Sequence, residues 1–165
     1  SQLAQLSTVQ GIENMNASLA ALATSLGGNQ MAQSANLIGR NVLVPGNALS
    51  PVALQDVMGF EIARPADKVT LTIRDAAGAP VRQLDLGPRE AGLNVLAWDG
   101  LTDSGAKAPA GKYQFKIDAV QGGQPVSAIA LHLGAVNSVS QGSQGVKLNL
   151  SGNESVGYSD IRQIF

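Results

Sequence analysis

The stretch from Val69 to Tyr113 constrains the fold more than any other part of the chain. Val69, Leu71 and Ile73 alternate with Thr70, Thr72 and Arg74, the period-two pattern of a half-buried strand. Asp75-Ala76-Ala77-Gly78 supplies turn chemistry, and Val81, Leu84 and Leu86 resume the apolar pattern. A second unit follows, in which Pro109-Ala110-Gly111 reads as a turn delivering Tyr113, Phe115 and Ile117 to the inner face of another strand. Neither unit contains a catalytic constellation. The pattern is that of a packing module, and it points to a chain that assembles or binds.

At 165 residues the chain holds one ordinary domain or two small ones. Hydrophobic residues make up 44%, enough for a core, but aromatics only 4%. Val, Ile and Leu must therefore build the interior, with Trp98, Tyr113 and Phe115 as scarce large fillers. Charges balance to a net −1 without forming blocks, so the basic face that nucleic-acid binding requires is missing. No apolar run approaches the roughly 20 residues that span a bilayer. Without cysteine there is no disulfide, thiolate nucleophile or Cys-based zinc site. No secretory signal is legible, and the chain, starting at Ser1, is read as a fragment of a longer protein.

Residues Gln2 to Leu26 read as an amphipathic helix. Leu3, Leu6, Val9 or Gln10, Ile12, Met15, Leu19, Leu22 and Leu26 recur at steps of three and four, which assigns them to one face. Gly27-Gly28-Asn29 is read as its C-terminal stop, followed by a flexible Gly/Asn/Gln/Ser linker. From Leu37 the period shortens. LIGRNVLVPG and VALQDVMGFEIA read as strands, about seven more short ones fill Phe60 to Leu131, and AIALHLGAV, NSVSQ, VKLNLSG and SDIRQIF close the chain. No later segment could serve as a crossover helix, which excludes a parallel sheet.

Candidate chemistry is thin. His132, the only histidine, is the sole possible triad base, with Ser127 or Ser138 as nucleophile; in a strand it reads as a surface or edge residue. Asp99 and Asp103 in WDGLTDSG offer too few carboxylates for a calcium loop and read as turns bonded to their own backbone. GAKAPAGKY fails the phosphate-loop spacing, and Tyr113 stands where Ser or Thr would bind the metal. Asn-x-Ser sequons at Asn16, Asn149 and Asn153 are chance matches. No catalytic, cofactor-binding or metal residues are assigned.

Three motifs carry a resemblance. SQLAQLSTVQGIENMNASL at the amino terminus is similar to the signature of the bacterial flagellar hook-capping proteins. VTLTIRDAAGAPVRQLDLG with AGLNVLAWDGLTDSGAKAPAGKYQFKIDA resembles that family's immunoglobulin- or fibronectin type III-like insert. LIGRNVLVPG with GAVNSVSQGSQGVKLNLSGNESVGYSDIRQIF resembles the two halves of its tudor-like barrel. The resemblance covers nearly the whole chain, in the family's order.

It implies a mainly β fold: an antiparallel sandwich at 60–131 inserted into a discontinuous barrel at 35–59 and 132–165, preceded by a helix and linker at 1–34. It also implies a non-enzymatic scaffold, exported by the flagellar type III pathway to the tip of the growing hook. Hook protein, further copies of the chain and a hook-length control protein are the implied partners. The barrel segments offer only Tyr158 and Phe165, with Phe60 at the boundary, too few aromatics for a methyl-lysine cage. For the helix two readings stay open, docking on the chain's own domain and bundling with further copies; in the second, Leu6, Ile12, Leu19 and Leu22 are expected to form an intersubunit seam. The competing expectation, an extracellular adhesion or carbohydrate-binding module, requires several aromatics exposed on one sheet face.

Overall fold

The computed structural model describes residues 1–50 and 56–165. The start of VALQDVMGFEIA lies outside them. The chain is mainly β, every strand pairing among the described residues is antiparallel, and it divides into two compact units.

The first unit comprises residues 1–39 and 136–158. Its helix, α1 (Gln2–Ala35), does not stop at Gly27-Gly28 as the sequence suggested, and no linker follows. Neither glycine has the positive φ of a left-handed cap. Each costs the helix about 1 kcal/mol relative to Ala, which packing offsets. The helix contacts β10, with Ser34 fully buried and Gly27 and Met31 half-buried at helical spacing. A Cβ at Gly27 would stand 3.1 Å from the Gln141 side-chain nitrogen. The sheet of this unit is a meander of the second part of β9 (Ala128–Gly142), β10 (Gly145–Leu150) and β11 (Glu154–Gly157). Val146, Leu148 and Leu150 alternate inward on β10 and are buried together with Val136, Val156 and Leu37.

The second unit comprises residues 40–135 and 159–165. One sheet orders β2 (Ala48–Leu49), β7 (Tyr113–Gln121), β4 (Ala66–Asp75) and β5 (Pro80–Arg89), with β8 (Gln124–Val126) on β7. The other places β6 (Gly92–Trp98) on β3 (Asp56–Ile62), β3 on the first part of β9, β9 on β1 (Asn41–Pro45), and β1 on β12 (Gln163–Ile164). Alternate residues fill the interior. Leu71, Ile73, Phe115, Met58 and Trp98 form one cluster, and Phe60, Ile62, Val69 and Val126 another.

Two boundaries differ from the sequence reading. AIALHLGAV and NSVSQ form a single strand, because Gly134 and Asn137 keep their ladder pairing or bulge locally without a turn. LIGRNVLVPG becomes extended only at Asn41; the preceding residues are a turn closed by a 2.8 Å bond from the Gly39 N–H to the Val136 carbonyl.

Candidate assembly surface

Along α1 the apolar side chains that could bury themselves do not. Leu6 is 64%, Ile12 49%, Leu19 63% and Leu22 55% exposed, and Leu3, Val9, Met15 and Leu26 are also exposed. They do not all share one face. A step of three residues falls about 60° short of a full turn, so Leu3, Leu6, Val9 and Ile12 wind around the helix. From Ile12 the steps become three, four, three and four, and Ile12, Met15, Leu19, Leu22 and Leu26 stay on one stripe. That spacing is heptad-like. Leu6 lies off it, whereas Met15 and Leu26 complete it; counting the alternation of steps in the sequence would have found both.

Between the seam residues stand Gly11, Ser18 and Ser25 on one flank and Val9, Asn16 and Ala23 on the other. These are small or uncharged, so no charged side chain flanks the stripe. Thr8, Ser18 and Thr24 donate their hydroxyls to carbonyls four residues back, at 2.9, 2.9 and 3.0 Å, which satisfies them within the helix.

In the second unit the large aromatics sit inside. Trp98 is 1% exposed, donates Nε1–H to the Leu101 carbonyl at 3.0 Å, and meets Tyr113 edge-on with ring centroids 5.2 Å apart. The Tyr113 hydroxyl donates to the Pro109 carbonyl at 2.6 Å, pinning the turn that delivers it into β7. Phe115 lies in the same cluster. The aromatic face that carbohydrate binding needs is therefore not assembled from these residues.

Asp99 accepts from the Leu101 N–H at 2.9 Å, a local turn bond. Asp103 instead reaches across to the Gln83 N–H on β5 at 3.1 Å, tying the loop to the sheet.

His132 departs from the surface or edge position expected for it: it is 8% exposed. Its strand is central, pairing Val44 on β1 and Met58 on β3. Gly46 leaves room for the ring, since a Cβ there would come within 2.6 Å of His132 Nε2. Ser127 belongs to the chain's second unit and Ser138 to its first. Ser138 hydrogen-bonds Asn149 at 3.0 Å. Nearby Asp56 accepts from the Ser50 N–H at 2.8 Å. Burial raises the Asp56 carboxyl above its ordinary range, opposed by that hydrogen bond and by the charge of His132.

The closing segment is clasped to the second unit. After a 3₁₀ turn at Tyr158–Asp160, the Arg162 N–H donates to the Leu43 carbonyl and the Phe165 N–H to the Asn41 carbonyl, each at 2.8 Å. Arg162 Nε reaches Glu61 at 3.0 Å. Among the described residues no three His, Asp or Glu side chains converge as a metal cluster, and no helix is long and apolar enough to cross a membrane. What the described residues present is surface: an exposed apolar stripe on α1 and sheet edges.

Residues 46–123 match the family model of the FlgD Ig-like domain. The chain is 37% identical to the basal-body rod modification protein FlgD of Escherichia coli K12, aligned over 99% of this chain and 74% of that protein. The FlgD of Salmonella typhimurium gives the same identity and coverage. Among solved structures, FlgD of Xanthomonas campestris, reported for its bearing on the hook capping essential for flagellar assembly, superposes with a TM-score of 0.66 at 31% identity, covering 82% of this chain and 99% of that one. FlgD of Pseudomonas aeruginosa gives a TM-score of 0.65 at 26% identity, covering 78% and 98%. The chain belongs to the FlgD family of flagellar hook-capping proteins.

Proposed function

We propose that this chain is a structural subunit of the flagellar hook cap, a scaffold at the distal end of the growing hook that promotes addition of hook protein subunits. The observation that carries the reading is the 37% identity over 99% of the chain to a FlgD protein, which extends through helix, sandwich and closing strands alike. No catalytic step is assigned; binding surfaces do the work. Hook protein and further copies of the chain are the partners, and a hook-length control protein is a further candidate. Export through the flagellar type III pathway belongs to the same reading. So does the division into helix 1–34, a split barrel at 35–59 with 132–165, and an inserted sandwich at 60–131.

Self-association would run through the helix seam. Fully burying one exposed Leu side chain contributes about 1.5–3 kcal/mol, so Ile12, Leu19 and Leu22, joined by Met15 and Leu26, would supply the apolar driving force of the contact. Leu6 would extend the contact beyond the heptad stripe. The test is polymerisation of purified hook protein, followed by light scattering, with and without this protein. Faster growth, or filaments capped by the protein in electron micrographs, supports the scaffold role. Unchanged growth without binding to filament ends overturns it.

A further inference from the structure

The two sheets of the second unit end on very different edges. β5 carries Arg82, Asp85 and Arg89 with Pro80 and Pro88, and its pairing with β4 is broken by register shifts. Those are the features by which proteins guard an edge against further pairing. β6, the edge of the other sheet, reads GLNVLAW. It has no charge, no proline and an unbroken seven-residue register with β3. Among the described residues it pairs with β3 alone.

The free side of β6 has a definite polarity. A Cβ placed on Gly59 of β3 would lie 2.8 Å from the Asn94 carbonyl oxygen, so that carbonyl turns toward β3. In an antiparallel ladder, alternate residues turn both backbone polar groups to the same side. Leu93, Val95 and Ala97 therefore turn their N–H and C=O groups to the open edge. Their side chains face outward as well: Leu93 is 39% and Val95 43% exposed, and Ala97 is exposed. Across β3, Glu61 pairs both Leu93 and Ile129. Its charge is met by Arg162, and Ile129 is 41% exposed, which extends the apolar row.

We infer that β6 is a pairing edge for β6 of a second copy, antiparallel about a two-fold axis through Val95. In that register Val95 faces Val95 of the second copy, and Leu93 faces Ala97 of the second copy, large against small. Three outward-turned residues on each strand then exchange main-chain hydrogen bonds. No charge opposes a like charge along the strand, which is the condition an isologous strand pair must meet. β6 offers no charge to select a charged foreign peptide, whereas a second copy supplies the same uncharged, proline-free strand. This contact is separate from the helix seam and stands whether or not that seam exists.

The absence of cysteine makes the test direct. Val95→Cys creates a single thiol, and paired backbones at that position stand about 5.5 Å apart, within disulfide range. Mild oxidation is expected to give a covalent dimer, while Gln114→Cys on β7, also exposed, gives none above background. Amide exchange in the unmodified protein supplies the second reading. The Leu93, Val95 and Ala97 amides should slow by about tenfold between dilute and concentrated protein, and Val95→Lys, a surface change that leaves the fold intact, should abolish that slowing. Cross-linking no better than the Gln114 control overturns the proposal, as do concentration-independent exchange and protection that arises only when hook protein is added.

Discussion

Arg162 and Glu61 lie 101 positions apart in sequence and meet at 3.0 Å, joining the closing segment to β3. Arg162 also donates Nη1 to the carbonyls of Ser159 at 3.1 Å and Asp160 at 3.3 Å. One guanidinium thus holds both a carboxylate and the turn that precedes β12. Both side chains are roughly a third exposed, so solvent screens the ion pair and limits its contribution to under about 1 kcal/mol. Arg162→Ala also removes the bonds to two carbonyls, one exposed and one half-buried, and should cost about 1 kcal/mol, whereas Glu61→Gln should cost less. Equal losses in urea unfolding would show that the carbonyl contacts contribute nothing.

Trp98 and Tyr113 separate packing from hydrogen bonding. Trp98→Ala empties a buried site and should destabilise by about 3–5 kcal/mol. Tyr113→Phe keeps the edge-to-face ring contact and removes only the bond to Pro109, for a loss of about 1 kcal/mol. Thermal melts of both variants check this. A negligible shift in Tm for Trp98→Ala would contradict its place in the core.

Asp56 predicts a pH dependence. Its folded carboxyl is raised by burial, so the stability associated with its protonation is fully present below the unfolded carboxylate value, about 3.9. That stability is lost as pH rises through the folded value. Asp56→Asn retains an acceptor for the Ser50 N–H without the buried charge. Its Tm relative to the parent should therefore be higher at pH 7, and the difference should vanish in acid. A difference that grows as pH falls would reverse the sign and refute the burial account.

The helix seam predicts a change in association without a change in fold. Leu19→Gln with Leu22→Gln replaces two exposed side chains by good helix formers. Circular dichroism should be unaltered, while light scattering should report a smaller species, with association weakened at least about a hundredfold. Leu6→Gln, off the stripe, should have a smaller effect. An unchanged oligomer in the double variant would remove the seam from the account.

Much of this architecture was legible because strand alternation and turn residues are local signals. Leu71, Ile73 and Phe115 point inward as their spacing requires, and the absence of crossover helices correctly excluded a parallel sheet. The failures are tertiary. Gly27-Gly28 carries a stop signal that the packing of Gly27, Met31 and Ser34 overrides. His132 looked like an edge residue because its burial depends on Gly46 and on strands drawn from distant segments. The heptad spacing of the exposed stripe was only half visible, because steps of three and steps of four both look helical until their sum is followed around the axis. The edge position of β6 among the described residues could not be read at all, since an edge is defined by which strands pair with it.

The most direct measurement of the central claim is electron microscopy of a strain from which the gene encoding this protein has been deleted. The account predicts basal bodies without hooks, and hooks restored by the full-length gene product supplied in trans. Hooks of normal form and number in the deletion strain would contradict the assignment of this chain to hook capping.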